Sequence, residues 1–239
     1  MRLRGRKGIL EELEAQPKLV VLAGETMRGR WADFFGNDRP IHVELGMGKG
    51  QFVSQMSVRH PHINYIGVDM YDELVRRAAD KARLAWREQT GGEPANLALM
   101  RLNIEQLDKA FAPAEIERIY LNFSDPWPKQ RHARRRLTHP GFVAMYKQAL
   151  NEDGEIHFKT DSQTLFEFSL NAFADMRVPL RNITLHLHRE GDPDFNVMTE
   201  YESKFVAQGM NIYRLEALIG NNAAKRDMLI ERKYDTIKP

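Results

Sequence analysis

The stretch Ile41–Gly50, IHVELGMGKG, decides the fold, because an apolar strand over residues 41–45 runs into a glycine-rich turn. A helix over about residues 50–58 follows. The turn carries three glycines: Gly46, Gly48 and Gly50. Glycine tolerates positive φ and lets a ligand approach the backbone, so the turn predicts a ligand-binding strand–helix junction. Its G-x-G-x-G spacing is followed by glutamine, so it fails the G-x-G-x-x-G pattern of dinucleotide-binding folds.

Polar side chains at three predicted strand ends narrow the ligand. Glu44 precedes the glycine turn, where it would repel a pyrophosphate but suit the ammonium and sulfonium of S-adenosylmethionine. Asp69 follows the second strand, where an acid takes ribose hydroxyls in nucleotide-binding α/β folds. Asn103 follows the third strand, and its amide is suited to an adenine edge. The order of these groups favours S-adenosylmethionine as cofactor over a nicotinamide. Each acid taken alone is also compatible with an ordinary surface carboxylate.

Strands and helices alternate along the rest of the chain. Further strands are predicted at residues 64–68, 96–102, 116–123, 155–159, 180–187 and 210–217, helices at 71–89, 141–150, 162–176 and 201–208, and a turn at 151–154. Such alternation predicts an α/β fold with right-handed crossovers. Two consecutive late strands indicate an antiparallel edge. The expected architecture is a doubly wound, mainly parallel, seven-stranded sheet with an antiparallel edge strand.

A second informative stretch, LNFSDPWPKQRHARRRL, occupies residues 121–137. Asp125 and Trp127 each precede a proline, which favours extended backbone angles, so residues 124–129 are expected to form a stiff extended corner. Cations are dense behind it: Lys129, Arg131, Arg134, Arg135 and Arg136. A fixed carboxylate beside guanidinium groups suggests chemistry on a polyanion. A solvated basic loop is the alternative for the arginine run by itself.

The composition limits the class of protein. The chain has 239 residues and 42% hydrophobic content, which suits one α/β domain. We expect a basic N-terminal extension at 1–30, a catalytic domain at 31–218 and a polar tail at 219–239. The net charge is only +2, so affinity for nucleic acid must come from local clusters. The chain has no cysteine, which excludes disulfides, thiolate metal sites and cysteine nucleophiles. No segment predicts a membrane span or a secretory signal, so a cytoplasmic location is expected.

Three segments together resemble the bacterial tRNA (guanine-N7)-methyltransferase family. They are Glu44-x-Gly-x-Gly-x-Gly, the run NFSDPWPK at 122–129 with its basic continuation, and Thr-Glu-Tyr-Glu at 199–202 followed by Phe205. The resemblance covers roughly residues 20–215. It implies a Rossmann-like class I methyltransferase fold and S-adenosylmethionine as cofactor. It also implies methylation of guanine N7 at position 46, in the variable loop of tRNA.

The resemblance implies roles for individual residues. Asp125 would be catalytic. The cofactor contacts would be Glu44, Gly46, Gly48, Gly50, Asp69, Asn103 and Asp125. The substrate contacts would be Lys129, Asp161, Thr199, Glu200, Tyr201 and Glu202. The RNA contacts would be Arg131, His132, Arg134, Arg135 and Arg136.

Several alternatives remain open from the residues alone. Thr199 and Glu202 also have the spacing of a capping box at a helix start. His186 and His188 would lie on one face of a strand, but no third ligand is evident, so no metal is expected. Asp-Pro-Trp-Pro at 125–128 is also compatible with an amino methyltransferase acting on adenine N6 or cytosine N4. A non-enzymatic RNA-binding protein is a further alternative. The oligomeric state is expected to be monomer or homodimer.

Overall fold

The structure is a computed structural model that describes residues 8–220. The helices are α1 (Ile9–Glu14), α2 (Trp31–Phe35), α3 (Gln51–Arg59), α4 (Asp72–Thr90), α5 (Leu107–Ala110), α6 (Pro140–Ala149), α7 (Gln163–Asp175) and α8 (Glu200–Ala207). The strands are β1 (Val20–Val21), β2 (Ile41–Leu45), β3 (Asn64–Asp69), β4 (Leu97–Arg101), β5 (Ile116–Asn122), β6 (Leu150–Thr160), β7 (Leu180–Thr184) and β8 (Tyr213–Leu218). Short 3₁₀ turns cover Gly24–Met27, Ile104–Gln106 and Gln130–Arg135.

The strands form one sheet in the order β1-β4-β3-β2-β5-β6-β8-β7. All pairings from β1 to β6 are parallel, and β8 runs antiparallel to both β6 and β7. This confirms the predicted doubly wound α/β class. The strand order reverses at β2, which has β3 on one side and β5 on the other. In such sheets, ligands bind beyond the carboxyl ends of the strands at this reversal.

The sheet has eight strands rather than the predicted seven. The additional strand is β1, whose Val20 and Val21 pair with Leu99 and Met100 of β4. Two residues give no readable alternation, so the strand left no periodic signal in the sequence. Residues 9–21 belong to the segment predicted as a basic N-terminal extension, and they form helix α1 and the edge strand β1. The predicted tail at 219–239 lies almost wholly outside the described residues.

Helices cover both faces of the sheet because alternate strand residues point to opposite sides. Ile66 and Val68 pack into one core cluster with α6 and α7, while Tyr65 on the same strand packs into the other with α3 and α4. Within residues 8–220, no helix combines the length and apolar character that crossing a bilayer requires.

The turn predicted at 151–154 lies inside β6 instead. Leu150 pairs with Ile116, and pairing resumes with Glu155 opposite Arg118, so the residues between them form an irregularity within a continuous strand. The Asn151 side chain accepts a hydrogen bond from the Asp153 amide at 3.0 Å. The predicted turn is therefore present as a local irregularity, and β6 continues beyond it because its pairing with β5 resumes.

Candidate active site

A pocket opens at the carboxyl ends of β2 and β5, where the strand order reverses. Its lining combines three parts of the chain: the glycine turn after β2, the end of β5, and the start of α8. The lining residues are Glu44, Gly46, Met47, Gly48, Lys49, Gln51, Phe52, Asn122, Phe123, Thr199, Glu200 and Tyr201. Residues about 150 positions apart therefore share one cavity.

The glycine turn is held against β3 by backbone hydrogen bonds. The amides of Gly46 and Met47 both donate to the Val68 carbonyl, at 2.9 and 3.0 Å. Gly46, Gly48 and Gly50 have φ values of 77°, 56° and 73°, in the left-handed region that favours glycine. The conformation predicted for this turn is thus present at all three positions.

Asp69 fastens the same turn from the end of β3. One carboxylate oxygen accepts from the Gly48 amide at 3.1 Å, and the other accepts from the Tyr71 amide at 3.1 Å. Burial raises the pKa of Asp69, and these amide donors oppose the rise. The residue predicted to hold the ribose therefore also shapes the glycine turn.

Glu44 is the buried acid of the pocket. Its Oε1 accepts from the Asn122 side-chain amide at 3.0 Å, so the ends of β2 and β5 are joined. Its Oε2 is buried and has no hydrogen-bond partner among the described residues. Burial raises the pKa of Glu44 to about 7, against the lowering effects of Asn122 and the Lys159 charge. A cationic ligand would complete this site.

A buried ion pair lies beneath the pocket. Lys159 Nζ on β6 donates to Glu202 Oε2 at 2.7 Å and to Asn196 Oδ1 at 2.8 Å. The other Glu202 oxygen accepts from Asn196 Nδ2 at 2.8 Å and pairs with His188 Nε2 at 2.9 Å. Glu202 is fully buried and both its oxygens are occupied. Burial raises its pKa, but the Lys159 charge and these hydrogen bonds lower it overall.

Glu202 was predicted to contact the substrate. Its side chain faces the interior with both oxygens occupied, and a contact with the substrate stays a prediction. Glu202 also completes the predicted capping box, since its amide donates to Thr199 Oγ1 at 3.0 Å. The physical role visible here is to fix the first turn of α8.

Glu200 and Tyr201, between Thr199 and Glu202, line the pocket. Glu200 Oε2 accepts from Lys49 Nζ of the glycine turn at 2.7 Å, and its other oxygen pairs with Lys81 of α4. Tyr201 is 58% exposed, and its ring stacks on Phe205 with centroids 6.4 Å apart. Phe205 in turn lies against Phe123, at 5.9 Å between ring centroids. The pocket thus has an aromatic wall with one open face.

Asp125 stands on the loop after β5 and is exposed. No hydrogen bond or ion pair joins its side chain to another residue in the range 8–220. The loop is not uniformly extended as predicted, because Trp127 has φ of +41°. A residue before proline usually adopts extended angles, so Trp127 is an exception to the expected backbone of this loop.

The cationic run folds back onto this loop. Arg136 is buried, and its guanidinium donates to the Pro126 carbonyl at 3.1 Å and to the Trp127 carbonyl at 3.0 Å. Arg135 lies 4.9 Å from the Trp127 ring centroid, and the His132 ring packs edge-on at 5.7 Å. Arg136 was predicted to contact RNA, but it is buried, unlike Arg134 and Arg135 beside it. Lys129, Arg131 and Arg134 have exposed side chains with no partner in the described part of the chain.

Comparisons with known proteins show the family of the chain. Residues 38–215 match a family model described as "Putative methyltransferase". A tRNA (guanine-N(7)-)-methyltransferase from Streptococcus equi subsp. zooepidemicus is 48% identical over 217 residues, which are 91% of this chain and 99% of the relative. The chain belongs to the tRNA (guanine-N7)-methyltransferase family. A relative of the same name from Geobacillus sp. is 47% identical over 90% of this chain and 94% of its own length.

Solved structures support the fold of this tRNA (guanine-N7)-methyltransferase family member. A 16S rRNA (adenine(1408)-N(1))-methyltransferase from Catenulisporales acidiphilia, with cosubstrate SAM, has a TM-score of 0.57 at 17% identity and covers 80% of this chain and 91% of its own. The 16S rRNA methyltransferase KamB has a TM-score of 0.57 at 11% identity, covering 91% of this chain and 95% of its own. At such identities the likeness concerns the fold alone.

The structure brings only some of the predicted site residues together in one pocket. Glu44, Gly46, Gly48, Thr199, Glu200 and Tyr201 line one pocket, while Asp69 binds the Gly48 amide and Gly50 lies at the start of α3. Asn103, Asp125, Lys129 and Asp161 are not among the lining residues. Asn103 instead accepts from the Glu105 amide at 3.1 Å and caps a 3₁₀ turn. Their roles toward cofactor and substrate stay predictions.

Sequence reasoning missed two pocket residues of consequence. Asn122 binds Glu44, and Phe52 lies 5.6 Å from the Lys159 ammonium, measured from the ring centroid. Asn122 was readable in principle, because it ends a buried strand just as Glu44 and Asp69 do. Phe52 gave no signal beyond its place in an apolar helix.

One cluster has the composition of a metal site. Ligand atoms of Glu155, His157 and Glu216 lie within 4.8 Å of one another. Arginines neutralise the two acids: Arg118 and Arg181 pair with Glu155 at 3.1 and 2.5 Å, and Arg181 and Arg214 pair with Glu216. The charge that would attract a cation is thus already compensated. His188, once a metal candidate, pairs with Glu202.

Proposed function

We infer that this chain is an S-adenosylmethionine-dependent enzyme that methylates N7 of guanine in tRNA, at position 46 of the variable loop. The observation that carries the inference is the pocket, in which a buried carboxylate, Glu44, and an exposed aromatic ring, Tyr201, face one cavity. A cationic cofactor and a flat purine require these two kinds of wall. The curated relatives bear the name of this reaction.

The residues of the pocket fit the cofactor. Glu44 Oε2 is a buried acceptor without a partner, which suits the ammonium or sulfonium charge. A Cβ built at Gly46 or Gly48 would meet nothing within 4 Å, so the turn leaves room against its backbone. When bound, S-adenosylmethionine supplies an electrophilic methyl group on a sulfonium.

Methyl transfer to guanine N7 requires the protein mainly to align N7 with the methyl carbon and the sulfur. Guanine N7 carries a lone pair and no proton, so attack on the methyl carbon needs no general base. Positioning the nucleophile in line can supply ~7–11 kcal/mol of barrier reduction. The fixed end of β5, where Asn122 binds Glu44, and the capped start of α8 provide two rigid walls for this alignment.

Asp125 is the proposed electrostatic catalyst. Positive charge leaves sulfur and develops on the purine during transfer, and an oriented carboxylate nearby stabilises it. Asp125 lies three residues beyond Asn122 and has no counter-charge among the described residues. Its charge is therefore available to the substrate.

Recognition of guanine requires acceptors for N1–H and the exocyclic amine, on the edge opposite N7. Asp161 and Glu200 are the proposed acceptors, and Tyr201 is the proposed stacking surface. Adenine lacks this donor pair and would leave these acceptors without donors from the base, which gives discrimination. Lys129, Arg131, His132, Arg134 and Arg135 are the proposed contacts to the RNA backbone.

The test uses unmodified tRNA transcripts and labelled cofactor. We expect label only in transcripts with guanine at position 46, and cleavage there after borohydride and aniline treatment, since N7 methylation weakens the glycosidic bond. A transcript with adenine at that position is the control. N6-methyladenosine or N4-methylcytosine in the digest would instead establish the amino methyltransferase alternative, and binding without label transfer would establish a non-enzymatic protein.

Two further expectations accompany this function. A tRNA substrate would place the reaction in the cytoplasm. The chain is expected to act as a monomer or homodimer, which stays a prediction.

A further inference from the structure

We propose that Arg136 is a positioning residue, which sets the conformation of the Asp125 loop from inside the protein and does not bind RNA. The proposal rests on the proposed function, because the loop matters only if Asp125 faces the transferred methyl. It departs from the sequence pattern, in which Arg136 is indistinguishable from its neighbours in the run RHARRR at 131–136.

The first observation is the burial of the guanidinium. Arg136 is 7% exposed, while Arg134 and Arg135 beside it are exposed. A long cationic side chain is almost never buried unless its donors are used. Here Nε donates to the carbonyls of Pro126 and Trp127 at 3.1 and 3.3 Å, and Nη2 donates to the Trp127 carbonyl at 3.0 Å.

The second observation is what lies on the other side of the guanidinium. Its central carbon stands 4.4 Å from the centroid of the Phe168 ring, on α7. A planar guanidinium stacks on an aromatic face while its edge donates in a fixed fork. Arg136 therefore links a rigid helix to two consecutive carbonyls of the loop, a connection that a flexible ammonium would not reproduce.

The third observation is that the held peptide is strained. Trp127 has φ of +41° immediately before a proline, a conformation that persists only where the surroundings enforce it. The two carbonyls that Arg136 holds belong to the residues directly after Asp125. The strained conformation and the direction of the Asp125 side chain are thus set by the same contact.

The test compares two arginines of one run. In Arg136→Met, which keeps an apolar stem against Phe168, we expect kcat to fall roughly 100-fold, because small misplacement of a reacting group has that effect. The affinity for tRNA and its salt slope should stay within twofold of wild type. In Arg134→Met the salt slope should drop by about one unit. Arg87→Met, on the exposed face of α4, is the neutral control.

A second readout does not depend on activity. In protein labelled with 5-fluorotryptophan, Arg136→Met should move the fluorine resonance of Trp127 and leave those of Trp31 and Trp86 in place. Trp127→Phe assigns the resonance. An unchanged Trp127 resonance with unchanged kcat, or a salt-slope loss equal to that of Arg134→Met, would overturn the proposal. If wild-type protein methylates no tRNA, the proposed function fails while the resonance still reports on the loop.

Two further variants test the same role if Arg136→Met does not fold. Arg136→Lys keeps the charge but loses the fork, so its kcat should also fall; wild-type turnover with an unmoved resonance would refute the positioning role. In Arg136→Ala, millimolar guanidinium should restore part of kcat, and potassium chloride at equal ionic strength should not. Absence of rescue together with an unmoved Trp127 resonance would count equally against the proposal.

Discussion

Lys159 Nζ donates to Glu202 Oε2 at 2.7 Å, and this contact joins the central sheet to the first turn of α8 in a site closed to water. The same Lys159 charge lowers the pKa of Glu44, the acid of the pocket. One buried cation thus faces both the proposed cofactor acid and the helix start that carries Glu200 and Tyr201. The relative position of the cofactor wall and the substrate wall depends on it.

Removal of the cation in Lys159→Met should destabilise the protein by about 3–5 kcal/mol, because Glu202 would be left buried without a counter-charge. Urea unfolding followed by circular dichroism measures this change. The double variant Lys159→Met/Glu202→Gln should lose less than the sum of the two single variants. Strict additivity would contradict the coupling, and Arg87→Met, from an exposed pair with Glu93, should leave unfolding nearly unchanged.

The raised pKa of Glu44, about 7, predicts a pH-dependent stability. The folded state binds the proton of the Glu44 carboxyl more tightly than the unfolded state, in which the pKa of Glu44 is 4.5. The free energy of unfolding therefore decreases as pH rises from about 4.5 to about 7. The full loss is about 3 kcal/mol. Glu44→Gln should therefore gain stability over wild type at pH 8 but not at pH 4.5, by urea unfolding.

Cofactor affinity should increase as Glu44 ionises, whereas stability decreases, since only the ionised Glu44 attracts a cation. The Kd for S-adenosylmethionine should fall roughly five- to tenfold between pH 6 and pH 7.5, as judged from a pKa of about 7. Calorimetry without tRNA measures it. In Glu44→Gln the affinity should be weak at both pH values; an unaltered pH profile in that variant would exclude Glu44 as the titrating group.

Close packing of the glycine turn gives a prediction with a matched control. Gly50 and Gly91 have nearly equal φ, 73° and 71°, but a Cβ at Gly50 would lie 2.6 Å from the Ala78 Cβ, whereas a Cβ at Gly91 meets nothing. Gly91→Ala should cost about 1–2 kcal/mol from backbone strain. Gly50→Ala should cost about 1–3 kcal/mol more and weaken cofactor binding, because α4 must shift. Equal destabilisation in Gly50→Ala and Gly91→Ala would contradict the close contact between the glycine turn and α4.

Neutralising the proposed catalyst in Asp125→Asn should lower kcat by about 100- to 1000-fold and leave the tRNA Kd unchanged. Single-turnover assays with saturating tRNA and a filter-binding titration measure the two quantities. Asp38→Asn, an exposed acid outside the pocket, is the matched control. Near wild-type turnover in Asp125→Asn would assign the charge stabilisation to another group.

Local pattern explains which parts of this fold were predictable. β2, β3 and α4 matched within one or two residues, because long apolar periodicity and bounding glycines are written in consecutive positions. β1 was missed because two residues carry no period, and its place depends on the β4 edge that it covers. The turn signal at 151–154 was overridden by pairing with β5, a partner about 35 residues earlier in the chain.

The amino-acid sequence by itself determined the fold class, the left-handed glycine turn, the capping box of α8 and the candidate acids at the strand ends, since each depends on neighbours within a few residues. Only the tertiary structure decided which charged side chains remain open to a ligand. Arg134 and Arg136 are two residues apart and identical in type, yet one faces solvent and the other holds the Asp125 loop. Glu200 and Glu202 likewise differ in burial, because Glu200 pairs with Lys49 and Lys81 at the surface of the pocket while Glu202 is fully buried. The reason is physical: desolvation depends on what packs around a charge, and those groups come from distant parts of the chain.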